Sequence, residues 1–233
     1  MKLIELETID STNTYAKDEA TKGTESGTVI FSHEQTNGRG RLGNKWISNK
    51  GNLFMSVILR PKVELKDIWQ LSFITSLAIY NALKDIVPKT ETINLKWPND
   101  VLINSSKISG ILLETEGSAD WIVVGIGLNV KVAPENSISL SRMAIKNIDA
   151  EKMRDLIYAE LESLVTKWET DGFEFVRKEW LKHAYKLGKE VKARINNNKV
   201  IIGVFKGVDE NGSLELKISD GSIKKINSGE VFV

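Results

Sequence analysis

The amino-acid sequence predicts an α+β fold, with a mixed or antiparallel sheet flanked by helices and followed by a small all-β unit. Three observations lead to this prediction. Short apolar runs between turn-forming residues recur through the first half of the chain. Longer segments carry apolar residues at helical spacing. From Lys189 onward only short alternating runs occur, separated by clusters of Asn, Asp and Gly.

The first elements alternate between strand and helix. Alternation over residues 3–6 predicts a strand, and a run of helix-capping residue types over 10–13 precedes a helical stretch over 15–22. Residues 29–31 predict a second strand and the strongly apolar residues 52–59 a third. The later body elements are a helix over 67–86, strand pairs at 95–97 with 101–103 and at 108–116 with 121–132, and helices over 150–169 and 173–184. Because they fall on these patterns, four tryptophans are expected in the core: Trp69, Trp121, Trp168 and Trp180.

The end of the chain is typical of a small β-barrel. Its predicted strands are 190–195, 200–205, 214–218 and 223–226, with turns at 196–198, 209–212 and 220–221. We therefore expect two domains, residues 1–186 and residues 187–233.

Composition excludes several classes of function. The 233 residues are 41% hydrophobic and 27% charged, which is ordinary for a globular protein, and the formal net charge of +1 provides no global field for DNA or an anionic membrane. The absence of cysteine excludes disulfides and thiolate chemistry. Neither a signal peptide nor an uncharged membrane span is evident. We expect a cytoplasmic protein that binds no DNA and no membrane.

The most informative segment is the glycine–arginine loop, residues 38–46, which reads Gly-Arg-Gly-Arg-Leu-Gly-Asn-Lys-Trp. Glycine lets the backbone approach a ligand closely, and arginine offers a fork of donors that matches carboxylate and phosphate. The loop also fits the G-x-G-x-x-G pattern of dinucleotide binding, but that motif needs a helix directly afterwards, and residues 45–51 do not favour one. A flexible surface turn with incidental arginines remains an alternative.

A second segment, Lys-Trp-Pro-Asn-Asp at 96–100, is followed by Lys107. A lysine at the start of a strand can stabilise charge on a transferring phosphate, although Lys107 can equally be a solvated turn residue. Asp100 is open to three interpretations: it orients a lysine, helps hold Mg²⁺, or simply forms the turn.

Other candidates have an equally plain structural explanation. Residues 11–13 are suited to helix capping as well as to ligand contact, and Gln35 to an ordinary loop position. The glycines of 125–129 either let a ligand lie on the sheet or mark close packing. Trp46 could stack on a planar base. His33 and His183 have no partner at metal-ligand spacing, so no metal site is expected from them.

Taken in order, these segments closely resemble the biotin–protein ligases. The resemblance rests on Asp-Ser-Thr-Asn at 10–13, the loop with Gln35 and Trp46, Lys-Trp-Pro-Asn-Asp at 96–100, Lys-Ile-Ser-Gly-Ile-Leu at 107–112 and Val-Gly-Ile-Gly-Leu-Asn at 124–129. It implies a class II synthetase-like catalytic domain and an SH3-like C-terminal domain. It also implies a two-step reaction, in which ATP with Mg²⁺ activates biotin as biotinyl-5′-AMP and a lysine of a biotin carboxyl carrier protein then accepts the biotin. Members of the family are often dimers.

Residue roles follow from the same resemblance. The residues expected to bind biotin are Ser11, Thr12, Asn13, Gln35, Arg39, Gly40, Arg41, Lys107, Gly110 and Gly127. Those expected at the ATP or adenylate are Arg39, Arg41, Trp46, Lys107 and Asn129, with Lys107, Arg41 and Asp100 as the catalytic set. No residue is assigned as a metal ligand, and Mg²⁺ is expected to accompany ATP.

The sequence departs from the family pattern at three places. Repressor-type members carry an N-terminal winged helix–turn–helix, which has no counterpart before the first strand, so a monofunctional ligase without a DNA-binding domain is expected. Two further loop arginines of those members are replaced by Leu42 and Asn44. Their last strand runs into a basic residue that reaches the nucleotide, whereas this sequence stops at Val233, which puts a nucleotide contact from the C-terminal domain in doubt.

Three rival functions remain. A lipoate or octanoate ligase on the same fold would leave the polar partners for a ureido ring unsatisfied. A non-catalytic biotin sensor would not need Lys107 and two arginines. A DNA-binding regulator fits poorly with the near-neutral charge.

Overall fold

The computed structural model describes residues 1–117, 120–143, 145, 147–195 and 199–232. The strands are β1 Lys2–Ile9, β2 Thr28–Gln35, β3 Leu53–Leu59, β4 Ile93–Lys96, β5 Asp100–Ile103, β6 Ser106–Glu114, β7 Ile122–Leu128, β8 Glu190–Arg194, β9 Val200–Val208, β10 Leu214–Lys217, β11 Ile223–Ile226 and β12 Glu230–Phe232. The α-helices are α1 Thr12–Thr21, α2 Leu71–Lys84, α3 Ala150–Asp171 and α4 Glu174–Lys182. Short 3₁₀ turns occupy Arg41–Gly43, Leu65–Gln70 and Leu140–Met143. Each predicted body element is present, with ends displaced by a few residues.

The first seven strands form one mixed sheet in the order β1-β2-β3-β7-β6-β5-β4. Only β1 and β2 are parallel; the other neighbouring strands pair antiparallel. The mixed sheet and the β4–β5 hairpin predicted from the sequence are confirmed.

Helices cover both faces of this sheet, which explains why its central strands are almost continuously apolar. Successive side chains of a strand point to opposite faces, so Val29 and Phe31 join the main core while Ile30 joins a smaller cluster under α1. The main core lies beneath α2 and α3. No helix in the described ranges combines the length and the apolarity needed to cross a bilayer.

Three of the four tryptophans expected in the core are buried, but Trp69 is 52% exposed. Trp180 packs edge-to-face on Phe73 at 5.1 Å between ring centroids, and Trp168 Nε1 donates to Gln70 Oε1 at 2.7 Å. The prediction for Trp69 is wrong because the chain forms a 3₁₀ turn over Leu65–Gln70. Three residues per turn displace its side chains from the face that α-helical spacing predicts.

The C-terminal strands form an antiparallel sheet in the order β11-β10-β9-β8-β12. The small β unit predicted for this part of the chain is present, but as an open antiparallel sheet and not as a closed barrel, since β11 and β12 are its two edges and do not pair within the described residues. The β11 edge exposes Ile223, Lys224 and Lys225, and charged edges discourage further pairing. Strand β12 was not predicted, and the predicted turn at 196–198 lies outside the described residues.

The two sheets share one apolar core. Phe205 and Leu214 of the second sheet belong to the same cluster as the α2 residues. Trp97 Nε1 donates to the Gly212 carbonyl at 3.0 Å, so the β4–β5 turn contacts the C-terminal sheet directly. Two units divided between residues 186 and 187 remain a prediction.

Asp209 organises the turn that receives Trp97. Its Oδ1 accepts from the backbone N–H groups of Asn211 and Ser213 at 2.9 Å each, and its Oδ2 lies 2.9 Å from Lys225 Nζ. Burial opposes ionisation of this carboxyl, but the hydrogen bonds from Lys225 and the two backbone groups outweigh it and hold the pKa of Asp209 below its ordinary value. The turn is therefore fixed by an ionised side chain.

Candidate active site

A cavity of about 130 Å³ lies on the sheet where the start of α1, the glycine–arginine loop, the β4–β5 turn and strands β6 and β7 meet. It brings together twelve of the thirteen predicted site residues: Ser11, Thr12, Asn13, Gln35, Arg39, Gly40, Arg41, Trp46, Asp100, Lys107, Gly110 and Gly127. The exception is Asn129, which does not line the cavity.

The start of α1 forms the polar floor of the cavity. Ser11 occupies the N-cap position, yet its side chain makes no capping hydrogen bond. Gln35 serves instead, because its Oε1 accepts from the Thr12 backbone N–H at 2.8 Å and lies 3.1 Å from the Thr12 hydroxyl. The run of capping residue types over 10–13 thus marks the start of the helix as predicted, although the Ser11 side chain does not cap it. Gln35 is not an ordinary loop residue, because it ends β2 and holds the start of α1.

Ser56 lies beneath this floor and has no exposed surface. Its hydroxyl donates to Asn13 Oδ1 at 2.6 Å and lies 2.8 Å from Thr12 Oγ1. Ser56 is not among the site residues predicted from the sequence, because β3 reads as an apolar strand. The available signal was a single serine among six apolar residues in Leu53–Leu59, since a buried hydroxyl needs polar partners.

The glycine–arginine loop is an internally bonded hairpin. Gly40 N–H donates to the Asn44 carbonyl at 2.7 Å, and Trp46 N–H donates to the Gly38 carbonyl at 2.9 Å. At its tip Leu42 takes the left-handed φ of 56°, and β3 follows the loop with no intervening α-helix. The dinucleotide-binding alternative is therefore wrong.

Both loop arginines are engaged, so they are not incidental residues of a surface turn. Arg39 Nη2 lies 2.8 Å from Glu114 Oε2. Arg41 Nη1 donates to Asn99 Oδ1 at 3.1 Å and to the Gly229 carbonyl at 3.3 Å, which joins the loop to the C-terminal sheet. Burial lowers the pKa of Arg41 from its ordinary value, and Asp100 and Glu230 act in the opposite direction.

Asp100 pairs with two lysines. Its Oδ1 lies 2.6 Å from Lys107 Nζ and its Oδ2 lies 3.8 Å from Lys96 Nζ. Lys107 is half-buried and sits 5.4 Å from the centroid of the Trp46 ring. Of the interpretations open for Asp100, this geometry favours the orientation of a lysine.

The indole of Trp46 lies against Gly110 and Gly127. A Cβ at Gly127 would overlap the ring, and one at Gly110 would come within 3.0 Å of it. A Cβ at Gly125 would likewise overlap the Asn13 amide. Gly110 and Gly127 make room for the Trp46 ring in this structure. From the sequence, both glycines are expected to make room for biotin.

Asn129 stands apart from the cavity and is almost fully buried. Its side-chain amide donates to the Ile138 carbonyl at 3.2 Å, and its backbone N–H donates to the Ile108 carbonyl at 2.9 Å. The structure therefore gives Asn129 an anchoring position under the segment that follows β7. Asn129 is predicted to lie beside the adenine, but it is not among the residues that line the cavity.

The described part of the chain contains no group of three His, Cys, Asp or Glu side chains suited to a metal ion. Asp100 and Glu114 are already paired with lysine and arginine. His33 pairs with Glu5 at 2.8 Å, and His183 stacks on Tyr80. These residues do not fit a metal held by the protein itself.

The fold and the cavity define a class of site: a pocket for a small acid on one face of a mixed sheet, closed by an arginine-bearing loop. Residues 5–130 match the biotin/lipoate A/B protein ligase family, and residues 186–233 match the biotin protein ligase C terminal domain. The chain belongs to the biotin/lipoate A/B protein ligase family.

Individual relatives agree with this assignment. A biotin–[acetyl-CoA-carboxylase] ligase of Paracoccus denitrificans is 34% identical over 96% of this chain and 97% of the relative. A bifunctional ligase/repressor of Bacillus subtilis is 32% identical over 98% of this chain and 73% of the length of that relative. The structure resembles that of the biotin protein ligase of Aquifex aeolicus in complex with biotin and ATP, with a TM-score of 0.85 and 33% identity, covering 99% of this chain and 97% of that one.

Proposed function

We propose that this protein is an ATP-dependent biotin–[acetyl-CoA-carboxylase] ligase. One observation carries the proposal: a single cavity is lined both by the polar residues at the start of α1 and by Arg39, Arg41 and Lys107. A cyclic urea needs the polar floor, and joining a carboxylate to a phosphate needs the cations. Relatives named as such ligases, aligned over nearly the whole chain, support the same function.

The reaction has two steps. A biotin carboxylate oxygen attacks the α-phosphorus of ATP, a P–O bond to the β-phosphate breaks, and pyrophosphate leaves with its electron pair. A lysine amine of the acceptor then attacks the acyl carbon of biotinyl-5′-AMP. The C–O bond to AMP breaks, the amine loses its proton, and an amide forms. The first step brings two anions together, and fixed cations offset their repulsion.

Each group of cavity residues has a distinct task in this scheme. Thr12, Asn13 and Gln35, with Ser11, hydrogen-bond the ureido ring. Arg39 and Arg41, with the Gly40 backbone, hold the carboxylate and the phosphate. Lys107 donates to the carboxyl–phosphate junction, and Asp100 keeps its ammonium in place. Trp46 and Asn129 remain the residues proposed for the adenine, and Gly110 and Gly127 those proposed for the apolar side of biotin.

Magnesium enters this scheme with the nucleotide. The described residues do not fit a protein-held ion, and Mg²⁺ is commonly bound through substrate phosphates and water. When bound, it neutralises charge on the phosphates.

The acceptor in this proposal is a lysine of a biotin carboxyl carrier protein. The ligase itself is proposed to act in the cytoplasm, because it has no cysteine that an oxidising compartment would pair. Assembly into a homodimer is also proposed. DNA is not a partner, in keeping with the net charge of +1.

A lipoate or octanoate ligase is the second candidate, because the family match covers both substrate classes. The polar lining formed by Ser11, Thr12, Asn13 and Gln35 argues for biotin, since covering it with an aliphatic acyl tail would exclude water without offering the polar partners that a ureido ring provides. The C-terminal match and the named relatives agree.

Mass spectrometry of the adenylate tests the proposal. The protein is mixed with ATP, Mg²⁺ and equal amounts of biotin, lipoate and octanoate. Biotinyl-AMP alone is expected. A lipoyl or octanoyl adenylate would transfer the protein to the second candidate, and bound biotin without any adenylate would favour a sensor.

A further inference from the structure

Glu114 is a charged residue beside the cavity with no role in the scheme above. It ends β6, and its side chain is about 20% exposed. Its Oε2 accepts hydrogen bonds from Asn13 Nδ2 and from Arg39 Nη2, each at 2.8 Å. One carboxylate oxygen therefore holds both the polar floor and the first arginine of the loop.

The hydrogen bonds continue from Glu114 across the floor to the other end of the loop. Asn13, Ser56 and Thr12 are linked in that order, and Thr12 is bonded to the Gln35 side-chain oxygen. Gln35 Nε2 then donates to Ser48 Oγ at 2.9 Å, and Ser48 donates to the Trp46 carbonyl at 3.1 Å. The loop is thus anchored at both stems to one network.

Charge explains why a carboxylate occupies this position. The Glu114 side chain is about 20% exposed and lies against Asn13, which is 4% exposed, so its carboxylate is partly withdrawn from water and is stabilised by a cation close by. Arg39 is that cation. Arg39 uses Nη2 for Glu114, while its Nε is buried without a protein partner in the described part of the chain. The guanidinium is held at one edge and keeps other N–H groups for an anion. Charge-assisted bonds of this kind are stronger than neutral ones.

We propose that Glu114 is a positioning residue that fixes Arg39 and Asn13 relative to each other, so that the cation and the ureido-binding floor are preorganised for one ligand. The inference rests on the proposed function, because it assigns both contacts to the same bound biotin. Glu114 acts through its two partners and does not touch the reacting atoms.

The test compares Glu114→Gln with Glu116→Gln. Glutamine keeps the length of the side chain and one acceptor oxygen but loses the charge. Glu116 is the matched control, because it lies two residues further on, is 59% exposed and pairs only with Lys17 at 3.0 Å among described residues. Hydrogen exchange of the loop amides and the kcat/KM of adenylate formation are measured for each protein, with thermal unfolding as a check on folding.

For Glu114→Gln, faster exchange of the Gly40 and Trp46 amides is expected, together with a fall in kcat/KM of about ten- to hundredfold, the range for hydrogen bonds to charged groups. Glu116→Gln should match the unaltered protein. In a double-variant cycle with Arg39→Gln, the second substitution should add much less than its separate effect, because the two side chains act as a unit.

Unchanged exchange in Glu114→Gln overturns the inference, whether or not an adenylate forms. Faster exchange with an unchanged rate, or fully additive effects in the double variant, overturns the role in the reaction. If the unaltered protein makes no biotinyl-AMP, the proposed function fails by itself, and the exchange experiment still decides whether Glu114 fixes the loop.

Discussion

Replacing Lys107 by alanine removes the cation that the proposed chemistry places at the carboxyl–phosphate junction. A preorganised donor at developing charge contributes a factor of about 10²–10³ to rate. We therefore expect Lys107→Ala to slow adenylate formation by about that factor, measured as single-turnover release of pyrophosphate. Biotin affinity, measured by calorimetry without nucleotide, should change less than about threefold, because Thr12, Asn13 and Gln35 still form the polar floor.

Lys96→Ala is the matched control, since Lys96 contacts the same carboxylate without lining the cavity. At an effective dielectric constant near 20, the gross attraction to Asp100 is about 6 kcal/mol from Lys107 at 2.6 Å and about 4 kcal/mol from Lys96 at 3.8 Å. Solvation and side-chain entropy reduce both values to a net contribution of about 1 kcal/mol. Both variants should therefore lose little stability, and only Lys107→Ala should lose chemistry. Equal rate losses in both, or a collapse of biotin affinity with unchanged chemistry, would refute the role of Lys107.

Three further substitutions test the loop and the C-terminal turn. Arg41→Gly removes the contact between the loop and the Gly229 carbonyl, so free biotinyl-AMP should escape and modify bystander lysines; loss of activity without released adenylate would contradict this. Gly127→Ala should displace the Trp46 indole and reduce kcat/KM by more than about tenfold, at a cost of about 1–3 kcal/mol in stability. Unchanged tryptophan fluorescence and unchanged kinetics would exclude the contact between Gly127 and the indole. Asp209 has a lowered pKa, so its stabilisation is present above the ordinary aspartate value and is lost as pH falls through the lower folded-state value. Asp209→Asn should lower Tm at neutral pH and weaken the acid dependence of unfolding, and a Tm equal to that of the unaltered protein would count against the turn.

The strands and helices could be predicted because each depends on local periodicity. β2, β3 and β7 are buried on both faces and therefore read as apolar runs, and α3 shows one apolar face. The 3₁₀ turn around Trp69 and the open edge at β11 were missed. Sequence spacing alone does not distinguish a 3₁₀ from an α-helical turn, and strand alternation does not reveal whether two edges of a sheet meet.

Most of the candidate site could also be located, because its residues lie in short conspicuous segments at the ends of strands. What the sequence could not provide is the pairing among those segments. Glu114 and Asn13 are far apart in the chain and meet only because β6 and α1 pack on the same part of the sheet. Ser56 is hidden in an apolar strand, and the side chain of Trp46 could be placed only once the two facing glycines were known.

The charge of the cavity bears on how the two substrates can enter together. Four cations line it, Arg39, Arg41, Lys45 and Lys107, against the carboxylates Asp100 and Glu230, so the lining carries an excess of two positive charges. A triphosphate together with the biotin carboxylate brings more negative charge than this excess balances, and Leu42 and Asn44 of the loop add no cation. Charge balance therefore requires a counter-ion that arrives with the nucleotide. Adenylate formation should accordingly fall steeply when Mg²⁺ is withdrawn, while binding of biotin alone should not. Equal sensitivity of both to Mg²⁺ would instead indicate a metal site in the protein.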